Sequence, residues 1–484
     1  MTPRHNLAGE SVFGKRLTTD LFERRFYAED LAPVPRLLVQ PFFRSLPDAV
    51  VRPRNTDEVA AAVRQAAAGG LPVVPRAAAT TALFNVVPVR GGLVLDLNEM
   101  AGVISLDEKR RTVTVHAGTR WLNLERALEP YGLALKSYPS SAVVATVGGW
   151  LSTQGHGLGS LKYGPLLNQV LQAQVVLPDG QIRQLTPDSN PPLGWFAAAE
   201  GTLGVLTEIE LSVRPLPKAA AHHLLYFNRV AGLHAALVAL ARAEPRPYTL
   251  IFSDAPFAHM LALAGFSPPT TQPALLVSYQ GEAAEVAQGQ SRLAGTPGEA
   301  LATQTALEEW NHRLVHLRVK RGGPSLLAAE MWLPIEALAD YLAQVEALSQ
   351  RFRTLIGNYG LAVSPHQAMV MSVYHCDARR PLDYSLALGL IGQLVHVGAR
   401  HGGRPYGVGL WNTPYLSQAF SHRQLKELRA RKQALDPADQ LNPGKLYHAP
   451  FPLWPALFKP GTGLLATAYR WRRGKTKRQE RLDE

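Results

Sequence analysis

A single cysteine, Cys376, stands among the 484 residues of this chain. One thiol excludes an intramolecular disulfide, a thiolate zinc site and a protein-ligated iron–sulfur cluster, so any redox chemistry needs an organic cofactor or a partner. Charge is sparse too, at 18% Asp, Glu, Lys and Arg. No run reaches the roughly 18–20 uninterrupted apolar residues of a membrane-spanning helix, and no bilayer crossing is expected. Met1 to Asp30 carries Arg4, Lys15, Arg16, Arg24 and Arg25 without the apolar stretch of a secretory signal, which makes a cytoplasmic location the default expectation. Several motifs are missing: HExxH, G-x-S-x-G and zinc-spaced clusters do not occur, and Gly155-His156-Gly157-Leu158-Gly159 lacks the spacing of a dinucleotide-binding G-x-G-x-x-G. Two stretches imitate a phosphate-binding loop and fail. In Gly9 to Arg16 an arginine replaces the hydroxyl that would meet magnesium, and before Gly474-Lys475-Thr476 the leading glycine is Tyr469.

What is present is a folded, turn-rich chain of two to three domains' length, with 46% hydrophobic residues, 40 Gly and 37 Pro. Its net charge of +12 leaves acidic small molecules, anionic lipid, acidic proteins and nucleic acid open as partners. Along the chain, Ala49-Val50-Val51, the helical run Thr56 to Ala68 capped by Gly69-Gly70, and Leu71 to Val74 read as a β-α-β unit. A helix is expected from Trp121 to Tyr131, another from Pro334 to Phe352, and strands at Val113–Val115 and Ala368–Tyr374. Pro178-Asp179-Gly180 is a hairpin turn, and Pro215-Leu216-Pro217 marks a boundary. The fold class is therefore α+β. Residues 449–484 stand apart, with aromatic and apolar groups beside eight Lys/Arg and three acidic residues. That segment suits an anionic membrane surface, a partner with an acidic rim, or plain packing on the body.

The chemistry-bearing features are spaced turns of small residues. Ala145-Thr146-Val147-Gly148-Gly149 leads into Gly155, Gly157 and Gly159, then Lys162-Tyr163-Gly164, and Glu200-Gly201-Thr202-Leu203-Gly204-Val205 follows. Without bulky side chains, backbone N–H groups can approach a diphosphate or a flat ring system closely. In their order and spacing, these turns resemble the FAD-binding flavoproteins of the vanillyl-alcohol oxidase / p-cresol methylhydroxylase type, and within them the glycolate oxidase and D-lactate dehydrogenase flavin subunits. Pro75-Arg76, Thr146 to Gly149, Lys162 to Gly164, Pro178 to Gly180, Glu200 to Gly204, and Asp436-Pro437 with Asn442-Pro443-Gly444-Lys445 carry the likeness. It implies a two-subdomain FAD-binding domain of the p-cresol methylhydroxylase type over 46–217, after an N-terminal arm at 1–45. An α+β substrate-capping domain would span 218–400, with a segment returning to the flavin at 401–448 and a basic aromatic tail at 449–484.

The resemblance places the cofactor against Pro75, Arg76, Ala77, Ala78, Ala79, Thr80, Thr81, Pro139, Ser140, Thr146, Gly148, Gly149, Gly155, Gly157, Tyr163, Glu200, Gly201, Gly204, Val205 and Asn442. With no His or Cys in Pro75 to Pro88, the FAD is expected to be non-covalent. Alanines replace the usual glycines at 77–79, and alanine does not cheaply take positive φ. Relatives that use a divalent metal carry His-x-Gly-Asp-Gly-Asn-x-His and Glu-His-Gly motifs; Pro405-Tyr406-Gly407 stands at the second and the first is absent, so no metal is expected. The implied reaction is dehydrogenation of a hydroxyl-bearing substrate, most simply a 2-hydroxy acid such as glycolate or D-lactate. A sugar, lactone or C=C substrate and a non-enzymatic electron-relay subunit remain alternatives. Arg313, Arg318, Lys320 and Arg321 are candidates to bind a substrate carboxylate. Tyr406, Arg404, His375 and His401 are the catalytic candidates. Electrons would pass to a partner protein or a membrane quinone, with peripheral contact through 449–484 at the inner face and no nucleic acid involved.

Overall fold

The computed structural model describes residues 13–32, 34, 43–153, 155–447 and 461–473. The two phosphate-loop imitations, in part or in full, and residues 449–460 and 474–484 of the tail lie outside these.

The β-α-β unit forms where the sequence places it. Strand β1 (Ala49–Val51) leads to helix α1 (Thr56–Ala68), whose Asn55 side chain caps the N–H of Glu58 while Asp57 and Glu58 favour the positive helix start. Val59, Ala60, Ala62, Val63 and Ala66 give α1 its buried stripe, and Gly70, at φ +63°, turns the chain into β2 (Val73–Arg76). Strand β3 (Leu93–Asp96) inserts between β1 and β2 with both pairings parallel. Gly92 permits that insertion, because a Cβ there would lie 2.2 Å from the Pro72 carbonyl oxygen.

A second sheet has the order β4-β5-β8-β6-β7, from β4 (Val103–Asp107), β5 (Thr112–His116), β6 (Val170–Val176), β7 (Ile182–Leu185) and β8 (Val205–Ser212). Its apolar face buries helix α2 (Trp121–Leu128), which continues as one 3-10 turn to Tyr131. Pro178-Asp179-Gly180 turns β6 into β7 and sits against α1, with Arg64 donating to the Gly180 carbonyl.

The third, eight-stranded sheet carries the cap. An edge pair Glu299–Ala300 is followed in spatial order by β9 (Ala219–Tyr226), β11 (Ala274–Gly281), β10 (Thr249–Ser253), β13 (Gly357–Ser364), β14 (Gln367–Cys376), β12 (Ser325–Pro334) and β15 (Arg404–Pro405). Helices α3 (Val230–Arg242), α4 (Leu338–Phe352) and α5 (Pro381–Arg400) cover it. The helix expected from Pro334 begins at Leu338, since β12 runs through Pro334 and one 3-10 turn intervenes. Helix α5 corrects the reading of the apolar runs: by length and composition it could cross a membrane, although about half of its apolar window is buried inside the protein. Residues 461–473 form a helix on α5, where a Cβ at Gly389 would stand 2.3 Å from the Ala466 nitrogen.

The chain then returns to the first unit. Helix α6 (His422–Leu435) opens with a Ser421/Gln424 capping box, and beyond it Leu441 pairs with Val73. Lys432 Nζ, buried, donates to Asp436 at 2.6 Å and to the carbonyls of Thr202 and Leu441. Asn442 Nδ2 donates to the Asn85 and Glu200 carbonyls, and Lys445 Nζ to that of Val87. Burial lowers Lys445 to about 7 against the pull of Asp30, Glu200 and Asp439.

Candidate active site

A cavity of about 380 Å³ lies among all of these segments. Its first wall is the loop after β2. Pro75, Arg76, Ala77, Ala78, Ala79, Thr80 and Thr81 all line it, and the N–H groups of Ala78 to Thr81 donate to no acceptor among the described residues. Ala79 is held at φ +53°, the conformation alanine resists. The Arg76 guanidinium is engaged, donating to the Glu29 carbonyl and lying over the rings of Phe26 and Tyr27.

The second wall is Pro139, Ser140, Thr146, Gly148, Gly149, His156 and Gly157. Close packing dictates its glycines: a Cβ on Gly148 would lie 2.6 Å from that of Ala117, and one on Gly157 2.5 Å from the Tyr138 carbonyl oxygen. Thr146 caps its own short helix by accepting the Gly149 N–H. Glu200, Gly201, Gly204 and Val205 form the third wall. The Glu200 carboxylate is buried and accepts the N–H groups of Val408 and Gly409, which fixes the segment after β15 against this wall; burial raises its pKa.

The cap supplies the far wall: Ile251, Leu327, Ala328, Leu361, Met369 and Met371, with His316, Lys320, Glu330, Tyr359 and Tyr406 as its polar members. His316 stacks parallel on Tyr359 at 4.6 Å, and desolvation lowers it to about 4, so it is neutral near pH 7. The Tyr406 hydroxyl takes hydrogen bonds from the His156 backbone and the Trp150 side chain, and burial pushes its pKa well above the ordinary value. Burial raises the Glu330 carboxyl to about 7.

Other sequence-named residues lie elsewhere. Gly155 packs on Leu166, Tyr163 lies under Lys162 and Arg214, and Asn442 braces the first and third walls from behind. His375 Nε2 sits 2.8 Å from the Val319 carbonyl oxygen, His401 ends α5, and Arg404 lies over Trp332 at 5.9 Å. Within the basic run only Lys320 lines the cavity. Arg318 and Arg321 lie over Phe266, while Arg313 lies 4.2 Å over Trp310 and donates to the Tyr138 hydroxyl, tying the cap to the first unit. Sequence reasoning missed Glu330, His156, His316 and Tyr359. The available signal for Glu330 was an acid inside the otherwise apolar run Leu326 to Leu333.

The cavity fits FAD at its first three walls: the unspent N–H donors of Ala78 to Thr81 suit phosphate oxygens, and glycines that admit no Cβ keep the second wall flat. Among the described residues no group of three or more His, Cys, Asp or Glu could hold a metal.

Residues 47–186 match the FAD binding domain family and residues 216–446 the C-terminal domain of FAD linked oxidases. The chain is 27% identical over 428 residues to the glycolate oxidase subunit GlcD of Bacillus subtilis, covering 84% of this chain and 90% of that one. It is 24% identical over 457 residues to the mitochondrial D-lactate dehydrogenase [cytochrome] of Arabidopsis thaliana, covering 90% and 79%. In fold it is similar to p-cresol methylhydroxylase with substrate bound, at a TM-score of 0.76 and 15% identity, covering 91% of this chain and 95% of that one.

Proposed function

Because the chain belongs to the FAD-linked oxidases and is an FAD-dependent oxidoreductase of CH–OH groups, we infer that its substrate is a 2-hydroxy acid with an apolar side chain larger than a methyl group. The observation that carries this is the cap wall, where Ile251, Leu327, Leu361, Met369 and Met371 face the cavity. Such a wall rewards burial of hydrocarbon by roughly 25 cal/mol per Å². Full-length relatives are named for glycolate and D-lactate, which supports the 2-hydroxy acid. Lys320 is the cavity cation left for its carboxylate, since the Arg76 guanidinium is engaged elsewhere. When bound, FAD supplies the two-electron sink. Loop 75–81 holds it, Glu200 fixes the covering segment 407–409, and the apolar cap excludes water from the reacting carbon.

Anaerobic bleaching of the FAD spectrum tests this with 2-hydroxy acids of increasing chain length beside the matching alcohols without a carboxylate. We expect bleaching by the acids, faster with longer chains; bleaching by the alcohols alone would reject the acid. Lys320→Met should raise KM for the acids about tenfold with little change in kcat.

A partner protein or a quinone would take the electrons removed from the substrate. Cys376 is the one thiol, and burial raises it to about 12. In helix 461–473, Leu464 and Trp471 are 74% and 66% exposed beside Arg470 and Arg473, which supports peripheral docking of a cytoplasmic protein on the inner membrane face. Co-flotation with anionic vesicles tests this: the double variant Leu464→Glu, Trp471→Glu should lose binding, and retained binding would reject the site.

A further inference from the structure

We propose that Glu330 is the catalytic residue that takes the proton of the substrate hydroxyl. The proposal rests on the reading above that the substrate is an alcohol.

Glu330 lies on β12, the strand between β14 and β15. Along that strand Leu327, Ala329 and Met331 are buried and alternate with Leu326, Ala328 and Glu330, which keep exposure; residues 326 to 330 line the cavity. No hydrogen bond or ion pair reaches the Glu330 carboxyl among the described residues, and desolvation alone sets its pKa, so no cation compensates it. Three other buried acids have partners: Glu200 takes two backbone N–H groups, Asp254 is held by Asn358 and the Phe257 N–H, and Asp436 by Lys432, while Glu125, raised by burial, lies in the field of Arg313 and Arg214. A carboxyl without such partners, turned toward a cavity, is the arrangement expected of a group that meets a ligand.

The titratable neighbours narrow the role. The backbone N–H of Tyr406 donates to the Glu330 carbonyl at 2.9 Å, which sets that phenol beside the acid. Tyr406 stays protonated near neutrality, because burial and the charge of Glu330 both push its pKa up. It cannot be the base. His316, lowered to about 4, is a weak one, and Tyr359, on which it stacks, is raised by burial. His156 abuts Trp332 edge-on at 4.4 Å on the cofactor-loop side. Tyr384 is likewise raised by burial, and Lys320 is an exposed cation. Glu330 is therefore the acceptor poised near neutrality, where general-base catalysis is most effective.

The step balances. The substrate O–H bond breaks, its proton goes to the Glu330 carboxylate, and its electron pair forms the carbonyl. The C–H pair leaves as hydride to the oxidant, FAD. The proton later passes from Glu330 to water.

Glu330→Gln and Glu330→Asp test this against the wild type, all loaded with FAD and checked for equal cofactor content. We expect anaerobic FAD reduction by the 2-hydroxy acid to fall about 10²–10⁴-fold in E330Q, with partial rescue in E330D. A second readout needs no turnover. Pyruvate and 2-oxohexanoate, titrated by their perturbation of the FAD spectrum, should bind the wild type more weakly above pH 7, as Glu330 becomes anionic, while E330Q should lack that step. Unchanged reduction with the same pH step in E330Q overturns the role of Glu330. A wild type that no hydroxyl compound reduces overturns the substrate reading and the proton role together.

Discussion

Asp436 ends α6 with its carboxylate 2.6 Å from Lys432 Nζ and with the N–H groups of Gln440 and Leu441 donated to it, whereas Glu330 has neither cation nor donor among the described residues. The first acid sits where two units of the chain meet and is satisfied by the chain itself. The second sits where the cap meets the cavity and is left for something that enters. An acid whose partners are built in is part of the scaffold, and one whose partners are missing belongs to chemistry.

The contrast can be broken most strongly at Lys432. Lys432→Met should cost about 3–5 kcal/mol of stability, because it leaves Asp436 as an uncompensated buried charge. A loss below about 1 kcal/mol in urea unfolding would show that the two acids are not different in kind. Glu330→Gln should act in the other direction and depend on pH. The folded pKa, about 7, stands above the unfolded value, so the folded state holds the proton more tightly. Its stabilising contribution is full below the unfolded pKa and is lost as pH rises through 7. The variant should therefore match the wild type near pH 5 and exceed it by about 2 kcal/mol at pH 8, which thermal unfolding at the two pH values reads. Asn442→Ala strips a donor from two buried carbonyls and should cost about 1–2 kcal/mol, sharpening the scaffold side of the comparison. Smallest is Ala79→Gly, which should stabilise by about 1 kcal/mol by relieving the positive φ and should tighten FAD binding in a fluorescence titration.

Much of this was legible in the sequence where local chemistry decides. The cap residue Asn55, the apolar stripe of α1 and Gly69-Gly70 set that helix without help from distant segments. The glycines at 148 and 157 could be read because close packing of backbones leaves no other residue possible. The basic run near Arg318 was misleading for a related reason: adjacency along 3-10 turns does not give a common direction, and Arg313, Arg318 and Lys320 turn to three different neighbourhoods. Glu330 could not be ranked at all, since its isolation depends on Tyr406, Met371 and His156 converging from separate parts of the chain.

The bond from Asn442 to Asn85 spans 357 residues of sequence. While the protein is being made, the first unit leaves the ribosome with the carbonyls of Asn85, Val87 and Glu200 still waiting for Asn442 and Lys445. Its cofactor cradle gains these braces only after Asn442 and Lys445 are translated. A transcript truncated before codon 442 would yield a first unit that folds loosely and fails to retain flavin.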